Sequence, residues 1–448
     1  MNEVSHQWTV RAGLAVAGAV LSLGSTACGS AETPDDSHTA DGTSSVGSHE
    51  LTLPSLKPHH GCRLLPNIPA LLQHCGDVTI TSQADADQYQ GISVIVGNLT
   101  IRGGNHVVQS DTHGNDFYEP NVALVLPDLV QVTGTLDVDG EHSAKIDLPS
   151  LARVGEDVDV IIRRFATFDG TAVSLAGINQ LLTPALATVG GDVTLQAIRE
   201  QPVPGATGSK QFEFGLDQIT TIGGSVIVED QSLPGSVRGL RGLVSIPGNL
   251  YIDWKNNDLE SQDLLTHVTS VTGDVELLAS HNARYLMPEL VKISGNLTIA
   301  PSSANSAPGV VQLQYGQVFP KLAKVGGDLV LDRTAPPGCH DQALPALKKV
   351  IGHVIIQSAK MGGSLGITGA TPLTVGGIEI GDSSGTFPFF PDLALSGDAR
   401  VVLEDNPDVC SCSLDQFEND LAAAGWTGTV ELVGTNGTLA CSPCPSCP

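Results

Sequence analysis

One phrase recurs along the chain, with apolar and polar residues alternating around a glycine at its eighth or ninth place. It reads "LPDLVQVTGTLDV" from Leu126, "LPSLARVGEDVDV" from Leu148, "FPKLAKVGGDLVL" from Phe319 and "LPALKKVIGHVII" from Leu344. Written as L-P-x-L-x-x-V-x-G-x-V-x-I, copies start at Tyr89, Leu126, Leu148, Thr183, Leu216, Leu240, Leu265, Met287, Phe319 and Leu344. Two degraded copies follow, at "LTVGGIEI" and "FPDLALSGDARVV". In the Leu126 copy, Val132, Gly134, Leu136 and Val138 fall on every second position, the period of a strand with one buried face. Val and Ile dominate these slots, and a glycine among them would weaken a helix. With no side chain there, a neighbouring segment can come close. Leu126 and Leu129, ahead of the strand, are expected to fill a corner of the coil.

The short intervals between copies are 22–25 residues, and the longer ones carry about ten inserted residues. A period in the low twenties repeated this often predicts a solenoid, because one copy cannot bury its apolar face alone and stacked copies can. The predicted fold is an all-β solenoid of about 10–12 rungs, with strands stacked roughly 4.8 Å apart. A flatter leucine-rich horseshoe has a period in the same range and stays open. The exposed ends need covering. "SLDQFENDLAAAGW" places Leu414, Phe417 and Leu421 at helical spacing and predicts a short C-terminal capping helix. A segment holding Cys62 and Cys75 is expected to cover the other end.

The rungs "IPGNLYI", "ISGNLTI" and "VGGDLVL", closing with "NPDVCSCSLDQF…GWTGTVELVGTNGTLAC", resemble the receptor L-domain family over residues 76–441. The resemblance implies a right-handed, leucine-rich-like β-helix that meets extracellular ligands. The chain shows no kinase and no long Cys-rich module, so receptor signalling does not carry over.

The beginning of the chain bears on compartment. Arg11 precedes an apolar run from Ala12 to Leu23 and then "GSTACGS", the layout of an export signal. The run is shorter than the roughly 20 residues a spanning helix needs. Its end resembles the bacterial lipoprotein signal, with Cys28 as the lipidated first residue of the mature chain; cleavage after "STA" by the ordinary signal peptidase would export the chain equally. The expected organisation is a signal peptide at 1–27, a Ser/Thr/Asp/Gly-rich tether at 28–60, a disulfide-bearing cap at 61–88, the repeats at 89–403 and a Cys-rich cap at 404–448. This places the protein in the cell envelope, held to a membrane by its lipid at the outer membrane or cell surface.

Export also changes the reading of the cysteines. Setting Cys28 aside leaves eight of nine, in a compartment where disulfides persist. Cys62 and Cys75 are expected to pair. The other six, Cys339, Cys410, Cys412, Cys441, Cys444 and Cys447, allow 15 pairings, with Cys410 or Cys412 bridged to Cys441 in the cap. The terminal C-x-x-C-x-x-C would suit a metal in a cytosolic protein; here disulfides are the expectation.

Composition and charge narrow the function. At 41% hydrophobic the chain of 448 residues is too apolar to be disordered, and 16% charged residues with 50 Gly do not suit a helical bundle. A formal net charge of −26 argues against a nucleic-acid partner. The residues following the rung glycine, Asn98, Thr135, the acidic pair Glu156 and Asp157, Asp192, Ser225, Asn249, Asp274, Asn296, Asp328 and His353, are expected to hydrogen-bond their own turns. The calcium-binding repeat G-G-x-G-x-D-x-U-x is absent from the sequence, and no metal or cofactor is expected. "EDVDVIIRR" gathers Asp157, Asp159, Arg163 and Arg164, with Asp157 and Asp159 on one outward face; surface ion pairing is the plain account of them. In the insertion 102–120, Phe117 and Tyr118 lie among polar residues, a candidate ligand-binding surface. The expected function is therefore non-catalytic: ligand binding or adhesion, toward carbohydrate or protein. A carbohydrate-active β-helical enzyme and a purely structural envelope spacer are the alternatives.

Overall fold

A computed structural model describes residues 63–102, 107–110, 116–118, 124–139, 145–168, 173–176, 180–199, 212–230, 237–254, 258–259, 263–279, 282–283, 287–301, 311–312, 319–332, 334–335, 344–357, 360–361, 373–382, 384–385, 393–406 and 411–434. The expected signal and tether lie outside them, as do Cys28, Cys62, Cys339, Cys410, Cys441, Cys444 and Cys447. The protein is mostly β with few helices, and its strands stack in parallel ladders. It is an all-β parallel solenoid.

Each rung is built in the same order. The L-P-x-L segment makes a tight turn in which the second apolar residue donates its N–H to the carbonyl of the first, as Leu151 does to Leu148 at 3.2 Å and Leu347 to Leu344 at 3.0 Å. Pro149 and Pro345 occupy the second position of that turn, where their fixed φ is already right. A two-residue strand follows, then the glycine turn, then the main strand. The main strands form one ladder from Val78–Ile80 through Leu99–Arg102, Leu136–Asp139, Val158–Phe168, Val193–Arg199, Val226–Asp230, Leu250–Trp254, Val275–Ala279, Leu297–Pro301 and Leu329–Asp332 to Lys349–Gln357. It continues through Leu373–Gly381 and Leu393–Glu404 to Val430–Val433. A second ladder of two- and three-residue strands runs beside it in two stretches, Gln73–Cys75 to Thr221–Ile222 and Ser245–Ile246 to Lys349–Gln357. The last of these strands joins the main ladder, its first residues pairing with Lys324–Val325 and its last with Leu329–Asp332.

Register puts like on like. Val158 pairs with Leu136 on one side and Val193 on the other, and Val275 with Leu250 and Leu297. A slip of one residue would turn every such side chain outward, so burial holds the register. Five stacked rows of apolar side chains result, all at 5% exposure or less from Leu126 to Ile356. Thr183 alone breaks the leading row of Leu, Met and Phe, and its hydroxyl donates to the Gly215 carbonyl at 3.0 Å. A buried hydroxyl there is tolerated because it is bonded.

The ladders extend into both flanking segments. Gln73–Cys75 pairs with Val94–Val96, and Val78–Ile80 with Leu99–Arg102, inside the segment expected to be a cap. His74 takes the slot that Val or Ile fills elsewhere and meets the Tyr89 ring edge-on at 5.2 Å. Cys75 is disulfide-bonded; its expected partner Cys62 lies outside the described residues. At the other end the helix Ser411–Ala423 forms as predicted and packs Phe417 and Leu421 into the core, joined by Trp426. Cys412 lies in this helix. The chain then returns to the main ladder as the strand Val430–Val433. Among the described residues no helix is long and apolar enough to cross a membrane.

Local chemistry led to the expectation that the residues after the rung glycine bond their own turns. Except for Thr135, Glu156 and His353, they bond the next rung instead. Asp77 Oδ1 accepts the Asn98 N–H at 2.8 Å, and Asn98 Oδ1 accepts the Thr135 N–H at 2.8 Å. A second run passes from Asp157 through Asp192, Ser225, Asn249, Asp274, Asn296 and Asp328 to the N–H of His353. The glycine beside each acceptor clears its path: a Cβ on Gly134 would overlap Asn98 Oδ1, and one on Gly295 would overlap Asp274 Oδ1. The repeated Gly-Asn and Gly-Asp pairs thus act across rungs, satisfying backbone N–H groups at a corner where the strand ladders do not. Asn296→Ala leaves the Asp328 N–H without its acceptor, and a cost of about 1–2 kcal/mol in unfolding free energy is expected by denaturant titration.

Candidate functional site: the outward face of the main sheet

Alternation along the main strands turns two rows of side chains outward. On one row Asp137 and Asp159 are direct partners on adjacent rungs. Beside them Arg102 Nη2 lies 3.1 Å from Asp137 Oδ2, and its Nη1 lies 3.7 Å from Asp139 Oδ2. Burial raises the Asp137 pKa above the ordinary carboxylate value; Arg102 opposes this, while Asp159 and Asp139 push it further up. Two carboxylates on neighbouring rungs, one inclined to keep its proton, have the chemistry of a donor and acceptor pair.

The expected candidates separate. Asp157 belongs to the inter-rung chain, where its Oδ1 accepts the Asp192 N–H at 2.8 Å, and so does not share the outward row with Asp159. Arg163 and Arg164 fall within the strand Val158–Phe168, but their side chains lie outside the described residues. Sequence reasoning paired Asp159 with Asp157; the partner it has is Asp137, from the preceding rung. Aligning the copies "VTGTLDV" and "VGEDVDV" on their leading valines, Val132 and Val154, would have found it.

Further along the same face stands Tyr251, with Glu276 its partner in register and Glu229 paired to Asp253 beside it. Burial first, then Asp253, Glu276 and Glu229, push the Tyr251 phenol up to about 12. Glu276 is raised as well, by burial and then by Asp253 and Asp274.

Two insertions are described in part, each between the end of a main strand and the next L-P turn. One makes a hairpin in which Val107–Ser110 pairs antiparallel with Asp116–Tyr118, the strand holding Phe117 and Tyr118. Another makes a hairpin from Phe165–Phe168 and Val173–Ala176, and the strand Asp116–Tyr118 lies against Val158–Phe168. A strand of the first hairpin therefore lies against the strand that runs on into the second. The backbone of Phe117 and Tyr118 sits there; their side chains lie outside the described residues.

A feature that local reading missed lies on the second ladder. Lys292, Lys324 and Lys349 are direct partners on three successive rungs. Its signal was present in "LVKIS", "LAKVG" and "LKKVI", where lysine precedes the rung Ile or Val each time.

Comparison with protein-family models, with curated proteins and with solved structures finds no match.

The raised Asp137 gives a prediction with a definite sign. The folded carboxyl holds its proton to higher pH than an unfolded aspartate of pKa about 3.9. Its contribution to stability is complete below that value and is lost as pH rises through the folded pKa. Asp137→Asn is therefore expected to raise the unfolding temperature at pH 7 and to change it little at pH 3.5, about the foot of that window. Incomplete burial keeps the gain below about 1 kcal/mol. Thermal melts of the two proteins at both pH values check this.

Proposed function

We propose that this is an exported, lipid-anchored protein of the cell envelope whose solenoid binds a ligand without transforming it. The carrying observation is that the strand Asp116–Tyr118 of one inserted hairpin lies against Val158–Phe168, the strand that runs on into a second, placing loops of the kind repeat scaffolds use for binding beside one another. The regular ladders supply a stiff base for them. Resemblance of the rung phrases to receptor L-domains supports a right-handed coil and an extracellular ligand, carbohydrate or protein. About 10–12 rungs is the number readable from the sequence copies, and the strands Val78–Ile80 and Val430–Val433 add to the ladder beyond those copies. Cys28 is the proposed lipid attachment point, and Phe117 and Tyr118 the proposed ligand contacts.

A second reading, a carbohydrate-active enzyme, is favoured by one observation: Asp137 and Asp159 face outward on adjacent rungs beside Arg102. Paired carboxylates on neighbouring strands are what glycoside cleavage uses. The two readings diverge in a single experiment. The full chain is mixed with a panel of bacterial and matrix polysaccharides, and both retained protein and newly released reducing or unsaturated ends are measured. Retention without released ends, weakened by a Phe117→Ala/Tyr118→Ala double change, supports binding. Released ends that vanish in Asp137→Asn establish the enzyme instead.

A further inference from the structure

The chain is strongly acidic, yet Lys292, Lys321, Lys324, Lys348 and Lys349 are five of its ten lysines and fall within three successive rungs. Lys292 pairs in register with Lys324, and Lys324 with Lys349. Between these positions the inward side chains Ile293, Val325 and Val350 are buried, so alternation turns the lysines to the outer side of the second ladder. Lys292 and Lys349 are exposed, as is Lys348 next to the row, and Lys324 is half-buried. Lys321 is engaged, its Nζ donating to Glu289 at 2.6 and 2.7 Å. Among the described residues none of Lys292, Lys324 or Lys349 forms an ion pair. Asp274 and Asp328, in the neighbouring turns, spend an Oδ1 each on the inter-rung chain.

Like charges stacked at a strand spacing of roughly 4.8 Å repel one another, and directly opposed like charges destabilise a sheet. Turn geometry does not require them, since Ser245, Ser270 and Thr374 fill the same slot on other rungs. Three cations in a straight line along the coil, at a fixed interval, complement a linear polymer whose anions repeat at a similar interval. From this we infer that the lysine row binds a linear acidic polysaccharide carrying one carboxylate per sugar, laid along the coil axis with about one sugar facing each rung. The hydroxyls of Ser270, Ser245 and Thr374 continue the same line and suit the sugar hydroxyls beyond the charged stretch. Duplex nucleic acid is the poorer fit, because its phosphates wind around a helix and do not lie in a straight line at the rung interval.

This inference rests on the binding reading above, and its test separates the two. Affinity of the full chain for polygalacturonate is measured at low and high salt, with dextran as the neutral comparator. The expected result is salt-sensitive binding, weakened about tenfold or more in Lys292→Gln/Lys324→Gln/Lys349→Gln. Lys321→Gln, which removes a charge outside the row, is expected to bind as the parent does. The arginine triple, Lys292→Arg/Lys324→Arg/Lys349→Arg, should keep the affinity, and matching circular dichroism of all variants excludes misfolding. Equal binding by the glutamine triple overturns the inference. So does a parent protein that ignores polygalacturonate but binds phosphatidylglycerol vesicles or duplex DNA through the same lysines. If the parent retains only neutral glycans, the lysine row is overturned while the binding reading stands; if nothing in the wider panel is retained, the binding reading fails.

Discussion

Gly295→Ala is expected to lower the unfolding free energy by about 3 kcal/mol. A Cβ at this position would overlap Asp274 Oδ1 and crowd the Gly273 carbonyl at 2.7 Å. Neither can retreat cheaply. The Asp274 carboxylate is held by the Asn296 N–H at 2.7 Å, and Gly273 is in the stacked turn that accepts the Gly295 N–H at 3.1 Å. The added methyl must therefore break the side-chain chain at one step or push neighbouring rungs apart. Gly91→Ala is the informative contrast. Gly91 has a φ of +79° and nothing within 4 Å of its missing Cβ, so only the left-handed backbone is penalised. That costs about 1–2 kcal/mol. Denaturant unfolding of both variants checks the ordering; a Gly295→Ala protein as stable as Gly91→Ala would mean that the inter-rung bond is dispensable.

Phe319→Ala is expected to cost still more, about 4 kcal/mol. Phe319 is fully buried and leads its rung between Met287 and Leu344, which occupy the same slot in the neighbouring copies and are themselves at most 1% exposed. Removing the ring leaves a hole that flanking rungs cannot close without losing register along both ladders. Because rungs of a solenoid bear mainly on their neighbours, the loss should stay local. Amide hydrogen exchange is expected to quicken in Leu297–Pro301, Leu329–Asp332 and Lys349–Gln357 while Val78–Ile80 and Leu99–Arg102 keep their protection. Uniform acceleration across the chain would show instead that the whole coil opens as one unit.

What was legible in the sequence followed from period. Val158, Val160, Val193 and Leu195 announce themselves by alternation, and Leu414, Phe417 and Leu421 by helical spacing; each emerges where its pattern put it. The first rung hid because His74 fills the slot that Val or Ile takes elsewhere, and because Cys62 and Cys75 drew the segment into a cap. Val430–Val433 hid because it returns after a helix and shows little burial of its own. The functional chemistry was harder for a different reason. Asp137 meets Asp159, and Lys292 meets Lys324, across gaps of tens of residues that no local window spans. Read one turn at a time, an aspartate after a glycine is simply a turn former.

The inter-rung chain of Asn, Asp and Ser acceptors has a consequence for how such a protein changes length. From Asp192 to Asp328 each rung receives a bond on one side through its backbone N–H and offers one on the other through its side chain, as Asn249 does between Ser225 and Asp274. A segment cut from one acceptor to the equivalent residue of the next copy is therefore a unit with matching ends. Tandem duplication or deletion of whole copies in the gene leaves every acceptor with a donor, whereas a break inside a copy strands one of each. The bond is missing once between Thr135 and Asp157, and it stops again at His353, whose imidazole lies over Gly377, where a Cβ would strike the ring. Growth by copying is open to the run from Asp157 to Asp328, and the chain beyond that histidine is built as an ending.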